Sequence, residues 1–537
     1  MSAWNFADVW EAVAKTLPDA PALVHGTVRR SWRDLDRRAD GLAAWLLEHG
    51  IGKDETFGQY LYSCPEYLEA VFAAFKLGIP PVNTNYRYAP EELAYLWDNA
   101  DCGAVVFHGE FAERIEAVRP AVPRVRTWLW VDDGSGPCPD WAAPFEEAGA
   151  TGADGHVVAP WGRSPDDIYI VYTGGTTGVP KGVMWRQDDL FAVLNSSAPV
   201  RFPEDGGVGD VAAMLVKPGP RHIPCAPLMH GTGSFTSFAV LSSGGAIVTL
   251  TGRHFSPVEL LDTIGRENIR SLAIVGDAFA KPILAALDAE PDRWDVSSLR
   301  VVTSSGVMFS AATKEGWLRH MPRLIIADTL GSSEAVAMAT SVSTADAPAS
   351  TAVFTIGPHT RVITEDGLDV APGSGEVGLL ALKGRVPVGY YKDEEKTART
   401  FRVLAGDRWS IPGDWATVEA DGTLRLLGRG SQCINTGGEK VYPEEVEEVL
   451  KTHPDVHDAA VVGVPDDRFG EVIVALVEGR PGAELDAAAL VAHVKLHLAG
   501  YKAPRRVVAL RSIGRAPNGK VDYKALRARA MEDTPAT

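Results

Sequence analysis

The stretch "YIVYTGGTTGVPKGVMW", Tyr169–Trp185, decides how this chain is read. The residues DIYIVYT, 167–173, are apolar, β-branched and aromatic, and predict a strand. The Gly/Thr segment therefore sits at a strand's carboxyl end, where α/β sheets place ligands. Gly174, Gly175, Gly178 and Gly182 permit close backbone approach. Successive amides and the hydroxyls of Thr173, Thr176 and Thr177 suit an anion-binding nest. The pattern is not a Walker loop, which needs Lys directly after the last Gly and then Ser or Thr. Here Val179 and Pro180 precede Lys181, and Gly182 follows it. On these residues alone a phosphate site and a flexible surface turn are equally open.

Outward from this stretch, helical and strand-like segments alternate. "RADGLAAWLLEHG" and "PEYLEAVFAAFKLG" have helical apolar spacing and end in Gly. "CGAVVFHG", "RTWLWVDD", "GAIVTLTG" and "SLAIVG" read as buried strands. The fold class expected is α/β, with helices packed on the faces of sheets. Residues 133–155 and 343–352 read as loops, and 353–428 as a β-rich subdomain with "EDG" and "ADG" turns. After "LRLLGRG" the order helix, strand, strand, helix, strand predicts a small α+β domain. The domains expected are 1–428 and 432–537, joined by a hinge at 429–431.

The chain has 537 residues, 45% hydrophobic and 23% charged, with a formal charge of −18. The acidic balance argues against broad nucleic-acid or anionic-membrane binding, but not against a local anion site. The five cysteines are scattered, with no CxxC pair, so neither a disulfide framework nor a zinc site is expected. The N-terminal segment carries Asp8 and Glu11 and reads as an amphipathic helix, not a signal peptide. With no membrane-length apolar run, the expectation is a cytoplasmic protein.

The form "YTGGTTGVPKG" resembles the signature loop of the adenylate-forming superfamily: acyl- and aryl-CoA synthetases, peptide-synthetase adenylation domains and firefly-type luciferases. The resemblance continues in family order through "PCAPLMHGTG" (224–233), "DTLGSSEA" (328–335), "GEVGLLALKGRVPVGYYKDEEKTARTF" (375–401), "IPGDW" (411–415), "GRGSQCINTGGEKVYPEEVE" (428–447) and "RAPNGKVDY" (515–523). The loops are closest to actinobacterial fatty-acid and steroid-acid CoA ligases.

That resemblance implies a two-step reaction. A carboxylate attacks the α-phosphate of ATP to give acyl-AMP and pyrophosphate; a thiol, usually of coenzyme A, then displaces AMP. An anion meeting a polyanion needs Mg²⁺ and a cation. The resemblance assigns the cation to Lys520, whose compact ammonium suits a point-charge role, and the metal to Glu334, a hard ligand for a hard ion. His230 lies near the carboxylate. Asp414 accepts both ribose hydroxyls and Arg429 supports it. The remaining ATP/AMP positions are Thr173, Gly174, Gly175, Thr176, Thr177, Gly178, Lys181, Ser305, Gly306, Asp328, Leu330, Gly331, Ser332 and Ser333. Gly437, Gly438 and Glu439 line the thiol tunnel, with Lys440 and Arg505 as further contacts for CoA. In isolation each of these residues reads as a surface lysine, a turn aspartate or a loop acid. The companion motifs tip the reading toward function.

Three positions depart from the family. The hinge is Ser431 rather than Asp or Lys, the adenine-stacking position is Leu330 rather than aromatic, and Ser333 replaces Thr. The stretch "GTGSFTSFAVL" carries no acid to pair with an α-ammonium, so an amino-acid substrate is not expected. Segments 231–241, 272–284 and 303–309 supply an apolar acyl pocket through Phe235, Phe238, Val275, Phe279, Val307, Met308 and Phe309. Asp277, the odd acid among them, is expected to cap a helix. The function expected is an acyl-CoA synthetase using ATP, Mg²⁺ and coenzyme A on a hydrophobic acid. The alternatives are an acyl-AMP ligase loading a carrier protein and a non-catalytic nucleotide-binding protein. A homodimer is left open, and no nucleic-acid partner is expected.

Overall fold

The computed structural model describes residues 4–150, 155–174, 180–347, 350–429, 434–436, 439–466, 470–498, 500–516 and 519–532. Contacts divide the chain into two compact units. One comprises 1–350 with 383–410, the other 351–382 with 411–537.

The first unit is built on two sheets. One holds parallel strands Arg221–Pro224, Ser271–Ile274, Val301–Ser305 and Ile325–Ser332, side by side, with Ala335–Ser343 returning antiparallel. The first three are short runs each followed by a helix, and the carboxyl ends of all four point the same way. The other is an eight-stranded sheet. At its centre Ile168–Gly174 lies parallel to Pro81–Asn83 and antiparallel to Pro180–Arg186. The edge strand Gly389–Tyr390 then pairs with Pro180–Arg186. Between the sheets' helices a cluster of rings fills the core: Phe238 packs on Phe6, Trp10, Phe75 and Tyr169 at centroid separations of 5.4–5.8 Å. Phe238 is fully buried there, on the core side of its helix.

The helix Pro65–Leu77 ends at Gly78 with φ 65°, the left-handed stop that its sequence predicts. The segment 133–155 differs from the loop expected. It contains the short strand Ala143–Pro144 and the helix Phe145–Ala150. Arg38, buried on helix Trp32–Glu48, grips Glu146 through both guanidinium ends at 2.8 and 3.0 Å, a distant partner that local composition does not reveal.

In the second unit, Asp414–Val418 pairs antiparallel with Val377–Lys383 and with Leu424–Arg429. A five-stranded sheet follows, led by the long pair Val456–Asp466 and Gly470–Gly479, with helices Pro443–Lys451 and Ala487–His497 against it. Among the described residues no helix is long and apolar enough to cross a membrane.

Candidate functional site

In the first unit the motif segments converge at the carboxyl ends of the parallel strands. Asn83, 4% exposed, is the clasp. Its Nδ2 donates to the carbonyls of Tyr172 (2.8 Å) and Met229 (2.6 Å), and its Oδ1 accepts from the Tyr172 amide (2.7 Å). One side chain thus fixes the strand entering the Gly/Thr loop against the segment that carries His230. His230 begins the helix Gly231–Ser242. That helix starts on glycines for a steric reason: a Cβ at Gly233 would collide with the carbonyl oxygens of Ala226 and Pro227.

The 328–335 segment joins the same place. Trp185 Nε1 donates to the Ser333 carbonyl at 2.9 Å. Glu334 is 9% exposed. Its Oε1 accepts from the Tyr390 hydroxyl at 2.7 Å, and its backbone carbonyl accepts from Ser410 Oγ at 2.7 Å. A buried carboxylate with one hydroxyl donor keeps lone pairs for a hard cation, so the residue fits the metal role assigned to it.

Asp328 is held in a closed arrangement. Lys314, its side chain fully buried, places Nζ 3.0 Å from Asp328 Oδ2 and 2.9 Å from the Ser350 carbonyl. Burial pushes the Asp328 carboxyl above its ordinary range, and the Lys314 charge opposes that shift. Ser304 donates to Asp328 and accepts from the Gly276 amide at 3.1 Å. Gly276 has φ 49°, and a Cβ there would strike the Met308 carbonyl. The start of helix Gly276–Ala289 is therefore seated directly on 307–308. Asp277 does not cap its own helix. Its Oδ1 accepts from the amide and hydroxyl of Ser310, both at 3.1 Å, tying together the starts of two helices.

Ser305 and Gly306 end the strand Val301–Ser305. Ser305 pairs with Thr329 across the parallel ladder, which sets Asp328, Leu330, Gly331 and Ser332 beside them. Phe235, Val275 and Phe279 are buried, and Val307 and Met308 are half-buried. Phe235 stands 6.2 Å from the Tyr169 ring.

Lys181 lies opposite Thr173 in the antiparallel pair, with Gly174 opposite Pro180. It forms an ion pair with Asp393 at 3.2 Å. Beside it is Lys396, which the sequence does not single out. Its Nζ lies 4.3 Å from the centroid of the Tyr390 ring, the same tyrosine that holds Glu334. Burial and then the neighbouring Lys181 charge push the Lys396 ammonium below its ordinary range. Gly175, Thr176, Thr177 and Gly178 lie outside the described residues.

In the second unit Asp414, 9% exposed, sits directly opposite Arg429 in an antiparallel pair. This brings together two residues that the sequence assigns to the ribose. Lys520 is exposed, next to a turn in which the Gly519 amide donates to the Ala516 carbonyl at 2.7 Å, and it precedes helix Tyr523–Glu532. Ser431, Gly437 and Gly438 lie outside the described residues, and Glu439 is described only as the start of strand Glu439–Val441.

Away from these segments, Glu11, Asp40 and His156 gather ligand atoms within 4.8 Å of one another. The fully buried Lys76 already lies 2.9 Å from Glu11 and Asp40 and 2.7 Å from Asp36. Arg163 reaches Glu11 at 2.7 Å. This cluster is an ion-paired brace between the first three long helices.

Residues 10–391 match the AMP-binding enzyme family, and residues 445–520 match its C-terminal domain. A medium/long-chain-fatty-acid–CoA/3-oxocholest-4-en-26-oate–CoA ligase of Mycolicibacterium smegmatis is 40% identical, covering 97% of this chain and 96% of that protein. A 3-oxocholest-4-en-26-oate–CoA ligase of Rhodococcus rhodochrous is 39% identical, covering 97% of this chain and 95% of that protein. Among solved structures, the amide bond synthetase McbA from Marinactinospora thermotolerans superposes with a TM-score of 0.81 at 26% identity, covering 98% and 99% of the two chains. The anthranilate CoA ligase AuaEII gives 0.83 at 22% identity, covering 98% and 97%, and so shares the fold.

Proposed function

The chain belongs to the AMP-binding enzyme family and is an ATP-dependent, AMP-forming acid–CoA ligase; from that premise we propose that its acid is a medium- or long-chain fatty acid or a steroid side-chain acid. The observation that carries the substrate reading is the apolar set Phe235, Val275, Phe279, Val307 and Met308, buried or half-buried, with no acid in 231–241. Such a lining stabilises a hydrocarbon tail at roughly 25 cal/mol per Å² buried and offers nothing to an α-ammonium.

In this reading the Gly/Thr loop and Lys181 take the β- and γ-phosphates of ATP. Asp328, Leu330 and Ser305 bound the base, and Asp414 with Arg429 takes the ribose. Glu334 holds Mg²⁺, with Tyr390 fixing its carboxylate. The metal, when bound, supplies charge neutralisation for the triphosphate. Lys520 supplies the second positive charge as carboxylate and α-phosphate approach. A carboxylate is already a nucleophile, so no general base is required, and His230 orients it. Residues 432–537 carry Lys520 to the site and then, turning at Ser431, present Gly437, Gly438 and Glu439 to the pantetheine thiol. The thiol sulfur attacks the acyl carbon, and AMP leaves.

Pyrophosphate release over fatty, aryl and steroid side-chain acids, with and without CoA, tests this. Release with medium or long fatty acids or steroid acids, and thioester only when CoA is present, is expected. Preferred turnover of amino acids or short polar acids, or acyl-AMP that persists in the presence of CoA, overturns it.

A further inference from the structure

The hairpin after the Gly/Thr loop brings a second lysine, Lys396, beside Lys181. The backbone of 388–397 is stitched onto strand Pro180–Arg186. Tyr390 pairs with Val183, the Val388 amide donates to the Met184 carbonyl at 2.8 Å, and the Tyr391 amide donates to the Gly182 carbonyl at 2.8 Å. This fixes helix Glu394–Thr400, and Lys396 on it, beside Lys181. Asp393 is the carboxylate paired with Lys181, at 3.2 Å, and it also accepts from the Lys396 amide at 3.0 Å, as that helix's N-cap. Two ammonium groups thus stand side by side, with Asp393 already engaged twice and Glu334, the carboxylate assigned to the metal, the other acid acting on Lys396. The Lys396 ammonium lies over the Tyr390 ring, 4.3 Å from its centroid, and the hydroxyl of that tyrosine donates to Glu334 Oε1 at 2.7 Å.

Like charges held together in a folded protein are an unfavourable arrangement in the absence of an anion. The site's substrate brings one. Pyrophosphate in particular carries charge that must be met both while it is bonded to the α-phosphorus and after it leaves.

We propose that Lys396 is a second phosphate-contacting cation, which together with Lys181 receives the β- and γ-phosphate oxygens of ATP and retains the released pyrophosphate. The proposal rests on the reading that the Gly/Thr loop faces the triphosphate. Tyr390 touches both groups, its ring the Lys396 ammonium and its hydroxyl the carboxylate assigned to the metal.

The test uses the full-length enzyme with its best acid. Lys396→Met keeps an unbranched side chain and removes the charge. Its KM for ATP should rise roughly tenfold, and inhibition by added inorganic pyrophosphate should weaken by a similar factor, the scale of one hydrogen bond to a charged group. Inhibition by AMP, the Mg²⁺ concentration for half-activation and the rate of thioester formation from supplied acyl-AMP should stay near those of the parent. Lys396→Arg should recover most of the loss. Unchanged pyrophosphate inhibition in a normally melting Lys396→Met variant overturns the proposal. So does a change confined to the Mg²⁺ requirement, which would make Lys396 a prop for Tyr390 only. Lys181→Met separates the two levels. If it shifts both constants while Lys396→Met does not, only Lys396 is misassigned. If neither variant shifts them, the triphosphate does not lie on this hairpin at all.

Discussion

Lys314 and Lys396 stand in the same unit, near the same motifs, and are treated in opposite ways. Lys314 is fully buried, with its charge matched by Asp328 at 3.0 Å and a second donor met by the Ser350 carbonyl. Lys396 is half-exposed and lies beside another lysine, over an aromatic ring. The first pair is complete without a ligand, and its work is to hold Asp328 still. The second is a charge arrangement that a polyphosphate completes. Position near the site does not distinguish the two roles. Whether the protein itself neutralises the charge does.

The sharpest way to break this comparison is Lys314→Met. Asp328 would then be buried without its counter-charge, and breaking such a pair costs about 3–5 kcal/mol. A lower denaturation midpoint is expected, with most of the loss recovered by adding Asp328→Asn, which makes the remaining partner neutral. Denaturant melts of the single and double variants measure this. A Lys314→Met variant as stable as the parent would show that the pair is not what holds Asp328.

Lys520, exposed and in the other unit, is the lysine that the proposed function assigns to the adenylation step. In that proposal its charge acts in the adenylation transition state. Lys520→Ala should slow adenylation by about 10²–10³, the usual loss for one preorganised charge. Thioester formation from supplied acyl-AMP should continue at nearly the parent rate. Single-turnover assays of each half-reaction decide it, and equal losses in both would remove the assignment.

These three lysines also mark how far the sequence could be read. Lys520 was singled out by the local pattern Asn518-Gly519-Lys520, and Glu334 by "GSSEA". The parallel strands were legible as short apolar runs, and Gly78 as a helix stop. Asn83, Lys314, Tyr390 and Lys396 were not. Asn83 meets Tyr172 and Met229 across 89 and 146 positions, and Tyr390 meets Glu334 across 56. No local period or spacing encodes such pairings. "YYKDEEKTARTF" was recognised as a segment, yet nothing in it says which of its two lysines, 392 or 396, turns toward Lys181. The fold decides: Lys392 is drawn instead to Asp101 at 2.7 Å. Asp277 was read as a helix cap because its position allows one. The structure engages it with Ser310, which only packing of the two helices could reveal.

The smallest expected effect concerns pH. Lys396 loses its proton more readily in the folded protein than its ordinary value of 10.5, through burial first and the Lys181 charge second. The folded state therefore binds fewer protons than the unfolded state in the window just below 10.5. Stability from this group is lowest while the lysine is charged, and rises as pH climbs through its folded value toward the unfolded one. Affinity for ATP should move the opposite way, because the cation disappears over the same window. The KM for ATP should rise at alkaline pH, by at most about fivefold, the scale of one half-exposed charge pair. The effect should be smaller than that of Lys396→Met, since a neutral amine still donates one hydrogen bond. An arginine stays charged throughout. Lys396→Arg should therefore flatten the alkaline limb of the ATP KM profile and leave its neutral region in place. A profile that rises identically in the Lys396→Arg variant would assign the limb to another group and leave Lys396, like Lys314, a lysine the protein itself has already paired.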